Sequence, residues 1–112
     1  MDKISKYSQA IIEVLNSFAS IKPGKPTAVS TQVVADTNNH HYLLMNVGWE
    51  GKKYIHHCII HFDIIGDKVW LQQNWTDTLI ADKLIELGVE KSDIVIGTDP
   101  EFIRPYNGFA VA

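Results

Sequence analysis

The sequence predicts an α+β fold: an N-terminal helix, a four-stranded antiparallel β-meander, a second helix packed on one sheet face, and a short C-terminal turn with an apolar tail. Three observations carry this prediction. Apolar residues near the N-terminus recur at spacings of three and four. Turn residues divide the stretch 27–74 at hairpin intervals, and a second helical pattern closes on Gly88.

Ile4, Tyr7, Ile11, Leu15 and Phe18, with Val14 alongside, form one stripe on a helix from about Lys3 to Ser20. Asp2 stands where a short polar side chain can accept a first-turn backbone N–H. Pro23-Gly24-Lys25-Pro26 ends the helix. Asp36-Thr37-Asn38-Asn39, Glu50-Gly51 and Gly66-Asp67 then separate strands at 27–36, 40–49, 52–65 and 68–73. Asn74 and Thr76 are candidate caps for the second helix, which buries Ile80, Leu84 and Leu87 and stops at Gly88. The short segment Ile94-Val95-Ile96, a turn starting at Pro100 and the tail from Tyr106 to Ala112 complete the chain. With no charge after Arg104, the tail is expected to be buried in its own core or against a partner.

A chain of 112 residues supports one domain, 1–112, around one modest core. Hydrophobic residues make up 46% and charged residues 21%, a balance that excludes disorder. The longest apolar runs, Leu43-Leu44-Met45 and Cys58-Ile59-Ile60, are far shorter than a membrane span. Near the N-terminus, Asp2 and Glu13 interrupt any signal-peptide-like run. The single cysteine, Cys58, cannot form an internal disulfide, which fits a reducing cytoplasm. The formal charge is −3, and one of the ten basic residues is an arginine. Lys22/Lys25 and Lys52/Lys53 are too small as clusters to make a phosphate track, so contact with DNA is expected only indirectly.

Strand alternation assigns the sheet faces. A two-residue loop at Glu50-Gly51 pairs Leu43 with Cys58 and His40 with His61; one at Gly66-Asp67 pairs Asp63 with Trp70. The expected core face holds Leu43, Met45, Val47, Trp49, Tyr54, Cys58, Ile60, Phe62, Ile64, Val69 and Leu71. The other face mixes Tyr42, Leu44, Ile55, Ile59, Ile65 and Trp70 with Asn46, His57, His61, Asp63 and Gln72. A solvated face should be mostly polar; a half-apolar one is expected at an interface.

Three of the five histidines lie on one strand. His57 and His61 are roughly 13 Å apart at strand rise and cannot share a metal. His61 and Asp63 can, and the expected register adds His40 beside His61 and Asp36 beside His40. The plainer reading, a His61–Asp63 pair anchoring the sheet with help from Arg104, is preferred, because one register slip dissolves the larger cluster. His40, His61 and Asp63 stay as candidate metal ligands, and no cofactor is expected. Cys58, expected in the core, has no activating neighbour on its face. The sequence holds no nucleophile elbow, phosphate-binding glycine loop, dinucleotide fingerprint or zinc-protease helix, so no catalytic residue is assigned. Trp70 and Tyr42 could stack bases, but without a basic groove they read better as interface anchors.

Asn46-Val47-Gly48-Trp49, Ile60-His61-Phe62-Asp63-Ile64, Gly66-Asp67-Lys68-Val69-Trp70, Gly88-Val89, Asp93-Ile94-Val95, Arg104 and Gly108-Phe109-Ala110-Val111-Ala112 occur in that order. The ordered set resembles the XisI-like family, named for the controlling factor required to excise the fdxN element in filamentous cyanobacteria. The resemblance implies an accessory protein in site-specific DNA excision that works beside a nuclease-like partner, XisH; the half-apolar sheet face and apolar tail make a homo-oligomer the other expected assembly. It singles out His61, Asp63, Gly66, Trp70, Gly88, Asp93, Arg104, Gly108 and Phe109 without giving any of them a catalytic role. Asn74 and Asp77 stand where the family often carries acidic residues, which removes a titrating group from position 74. A metal- or ligand-binding regulator, or a small enzyme, using the His61/Asp63 face is the alternative. From these expectations the candidate binding residues are His61, Asp63, Trp70, Tyr42, Arg104 and Phe109.

Overall fold

A computed structural model describes residues 2–21 and 27–112. Helix α1 (Lys3–Ala19) begins as its sequence dictates: the Asp2 carboxylate accepts the Ser5 N–H at 2.8 Å. Its buried side is Tyr7, Ser8, Ala10, Ile11, Val14 and Leu15; Ile4 and Phe18, the ends of the expected stripe, are only partly buried. The Pro23-Gly24-Lys25-Pro26 break and the Lys22/Lys25 pair lie outside the described residues.

Four antiparallel strands follow: β1 (Ser30–Asp36), β2 (His41–Glu50), β3 (Lys53–Ile65) and β4 (Lys68–Asn74). Helix α2 (Ile80–Glu86) then leads to β5 (Ile94–Ile96), which lies parallel to β4. The sheet is therefore five-stranded and mixed, in the order β1-β2-β3-β4-β5, and not the four-stranded antiparallel meander expected from sequence. Three consecutive apolar residues carry no period-two signal. They become a strand because the α2 connection returns the chain beside β4, where its backbone groups find partners. Ile94 and Val95 are fully buried there, as parallel strands usually are.

The second helix also starts later than expected. Asn74 and Thr76 do not cap it: the Asn74 Oδ1 accepts the Thr76 N–H at 3.0 Å, and the Asn74 amide donates to the Thr78 carbonyl at 3.0 Å. They lock the connection between β4 and α2. Ile80 and Leu84 face the core and Gly88 ends the helix with φ +96°, as expected. The tail caps the edge of β5, with the Ala110 N–H donating to the Ile94 carbonyl at 2.8 Å. Phe109 packs partly against the core, whereas Val111 is 51% exposed, so only part of the tail is covered.

Register is where the structure departs furthest from strict alternation. The β2–β3 hairpin closes on Glu50 and Lys53, one residue later than expected, which preserves the faces. A bulge then pairs Leu44 with Ile60 but Met45 with Cys58, leaving Ile59 extra. One inserted residue reverses every later face relationship between the two strands. Tyr42 and Leu44 consequently enter the core opposite Phe62 and Ile60, while Leu43, Met45, Val47 and Trp49 turn outward. Tyr54 and Cys58 go outward with their partners Trp49 and Met45.

The core lies between α1, α2 and one sheet face. Its fully buried members include Tyr7, Ile11, Leu15, Tyr42, Ile60, Phe62, Val69, Ile80, Leu84 and Ile94. Burying each aliphatic or Phe side chain contributes about 1.5–3 kcal/mol. Asp93, at the entry to β5, accepts the Tyr7 hydroxyl at 2.5 Å and pairs with Lys3 at 2.7 Å, tying α1 to the far end of the chain. Among the described residues, no helix is long and apolar enough to cross a membrane.

Candidate functional site

On the outer sheet face, His41 of β2 lies directly across from Asp63 of β3, and His61 precedes Asp63 by two residues on that same face. Their polar atoms converge. The His41 Nδ1 donates to Asp63 Oδ1 at 2.7 Å, and the His61 Nε2 donates to the same oxygen at 2.8 Å. An ionised carboxylate only accepts, so each of these ring nitrogens carries a hydrogen. A second bulge, between His61/Gln73 and Phe62/Leu71, leaves Gln72 extra. Its amide donates to Asp63 Oδ2 at 3.2 Å.

The electrostatics follow from this geometry. The Asp63 side chain is 13% exposed, against 54% for His41. Burial pushes the Asp63 carboxyl up, but the bonds from His41, His61 and Gln72 outweigh it and hold the group below its ordinary value. The Asp63 bond raises His41 above the ordinary histidine value against a smaller desolvation effect.

Trp70 is Asp63's cross-strand partner on β4. The Arg104 guanidinium stacks over its ring at 5.1 Å, and the Arg104 Nε donates to the Asp99 carbonyl at 3.1 Å. Arg104 thus braces the tryptophan and makes no ion pair with Asp63. Gly97 permits the close approach: a Cβ there would lie 2.8 Å from the Gln72 amide oxygen and 3.0 Å from the Leu71 carbonyl.

Of the candidates that the sequence singles out, His61, Asp63, Trp70 and Arg104 therefore lie together, while three expectations fail. His40 adopts φ +60° at the end of the β1–β2 turn and bonds the Tyr42 hydroxyl at 2.9 Å, away from His61. Tyr42 is wholly buried, with its hydroxyl 2.7 Å from the Ser8 Oγ, so it cannot join Trp70 on the outer face. Asp36 faces His41 in register, but its carboxylate is engaged by the Asn38 and Asn39 N–H groups, both at 3.0 Å. His41 takes the place expected for His40, and the Ile59 bulge is the reason. Sequence alternation misses His41 because Leu43-Leu44-Met45 is apolar throughout and does not say which side of β2 is buried.

Cys58, expected in the core, is half-buried opposite Met45; burial pushes its thiol up, the reverse of activation. Phe109 makes none of the hydrogen bonds that gather the cluster. With Trp75, Leu79, Asp99 and Asn107 it lines a groove of about 650 Å³, and Lys91 sits over its ring at 4.9 Å. The outer face remains rich in exposed apolar side chains: Ile65, as expected, and, beyond the expected set, Val34, Trp49 and Tyr54, all between 45% and 56% exposed.

The family described as "XisI protein" matches residues 1–111. Among solved structures, a XisI-like protein from Anabaena variabilis ATCC 29413 is 40% identical, with a TM-score of 0.89 over 97% of this chain and 99% of that one. The fdxN element excision controlling factor XisI from the same organism is 28% identical, with a TM-score of 0.84 over 99% of this chain and 100% of that one. No curated protein matches.

Proposed function

The chain belongs to the XisI family, and from that premise we propose that it controls excision of a DNA element. It acts in the cytoplasm by gripping a XisH-like, nuclease-fold partner, alone or as a homo-oligomer, and meets DNA only through that partner. The observation that carries the reading is the end-to-end likeness to an fdxN element excision controlling factor.

Physical chemistry supports the indirect route to DNA. Proteins that neutralise phosphates unaided need clustered cations, and this chain has a net charge of −3. Its one arginine is already engaged over Trp70. Exposed Trp49 and Tyr54, in contact at 5.1 Å, are residue types enriched where proteins bind proteins.

Co-expression with a XisH-type protein, followed by native mass spectrometry, tests the reading. The expected result is a complex of fixed stoichiometry, with weak DNA binding by the isolated chain. A chain that ignores that partner and binds duplex DNA tightly by itself, with a steep salt dependence, would overturn it.

A further inference from the structure

We propose that His41, His61 and Asp63 form a binding site for one divalent transition-metal ion of the zinc type. The inference is independent of the excision reading, since it rests only on where three donor atoms lie.

Two imidazoles and one carboxylate offer ligand atoms that all lie within 4.8 Å of one another. Nitrogen and oxygen ligands of zinc stand about 2.0–2.2 Å from the ion, which puts neighbouring donors in a tetrahedral shell about 3.3 Å apart. The two imidazole-to-carboxylate separations are 2.7 and 2.8 Å. Each needs to open by roughly half an ångström to admit an ion, a change small enough for side-chain rotation. The ion takes the place of the two hydrogens now shared with Asp63. A neutral imidazole moves its hydrogen to the other ring nitrogen, and an imidazolium releases one to solvent. In both cases the ion itself brings two positive charges against the Asp63 carboxylate.

The scaffold is suited to holding such an ion. His41 and Asp63 are fixed opposite each other by the β2–β3 ladder, and the Ile64 N–H to His40 carbonyl bond at 3.1 Å closes the neighbouring rung. Gln72 holds the second carboxylate oxygen, the outer-sphere support that ligating carboxylates usually have. Asp63 is the buried member, while His41 is 54% exposed, so the ion would sit on the solvent side with coordination positions left to water. Two histidines and one carboxylate with open positions suit zinc or ferrous iron better than the all-oxygen preference of magnesium or calcium.

The test uses untagged full-length protein, stripped with chelator and titrated with Zn²⁺ by calorimetry and with Co²⁺ by visible absorption. One saturating equivalent is expected, with cobalt absorption of low-coordinate type. His41→Gln, His61→Gln and Asp63→Asn should each weaken binding at least about tenfold, while His40→Ala and His56→Ala leave it unchanged. His41→Gln is the decisive variant, because its exposed position leaves folding intact, and circular dichroism verifies that. No saturable equivalent, or uptake that survives undiminished in folded His41→Gln, would overturn the proposal.

Discussion

Asp93 shows how a single side chain can hold two ends of a chain together. It lies 86 residues from Tyr7, whose hydroxyl it accepts, and it pairs with Lys3 from the same helix. Burial pushes its carboxyl up, but the Lys3 and Tyr7 bonds prevail and hold it below the ordinary aspartate value. A carboxyl depressed on folding contributes stability that is present above its unfolded value and lost as pH falls through its folded value. The gap in urea stability between the natural chain and Asp93→Asn should thus be constant near neutrality and shrink below about pH 4. A gap that stays constant through strongly acidic pH would show that the carboxylate's charge does not hold this end of the fold. The contrast with Asp2 explains what is legible at this scale. The Asp2 cap acts over three residues and can be read from its neighbours; Asp93's partners become neighbours only when α1 closes over β5.

At the scale of elements, periodicity reveals both helices and the four long strands, and it fails where one residue breaks the period. Ile59 is that residue. Were Ile59 paired regularly instead of bulged, β2 and β3 would keep one face relationship throughout, the relationship that strict alternation implies, with Leu43 and Cys58 on the same face as Ile60 and Phe62. With the bulge, Tyr42 and Leu44 turn inward and His41 turns outward to Asp63. Deleting Ile59 is different from pairing it: without the residue, Leu44–Ile60 and Met45–Cys58 become consecutive pairs and the register on both sides survives. Deleting Ile59 should therefore give a folded protein with the His41–Asp63 contact intact, less stable by about 1–3 kcal/mol for the lost isoleucine packing. It also loses the Trp75 N–H bond to the Ile59 carbonyl. Thermal melts and the histidine proton resonances would check this, and collapse of the fold would refute it. β5 is illegible in the sequence for a different reason: a strand of three residues owes its existence to the strand beside it.

At the scale of the whole molecule, the sheet divides the chain's apolar surface into two parts with different tasks. The covered face joins α1, α2 and β5 into the core. The outer face carries the His41–His61–Asp63 cluster at one end of the β2–β3 ribbon and the Trp49–Tyr54 pair at the other. That pair is more than half exposed and sits beside the hairpin turn, so it adds to the chain's own stability only the about 0.5–1.5 kcal/mol of an aromatic contact. If the excision-control reading holds, its larger contribution is to binding, where a buried Trp or Tyr anchor is commonly worth about 2 kcal/mol or more, roughly a thirtyfold change in affinity. The double variant Trp49→Ser, Tyr54→Ser should accordingly melt within a few degrees of the natural chain while its complex with a XisH-like partner weakens at least about thirtyfold. Loss of stability together with binding would instead mark the pair as part of the fold. Unchanged binding would move the partner's footprint elsewhere, the groove beside Phe109 being the next surface to probe.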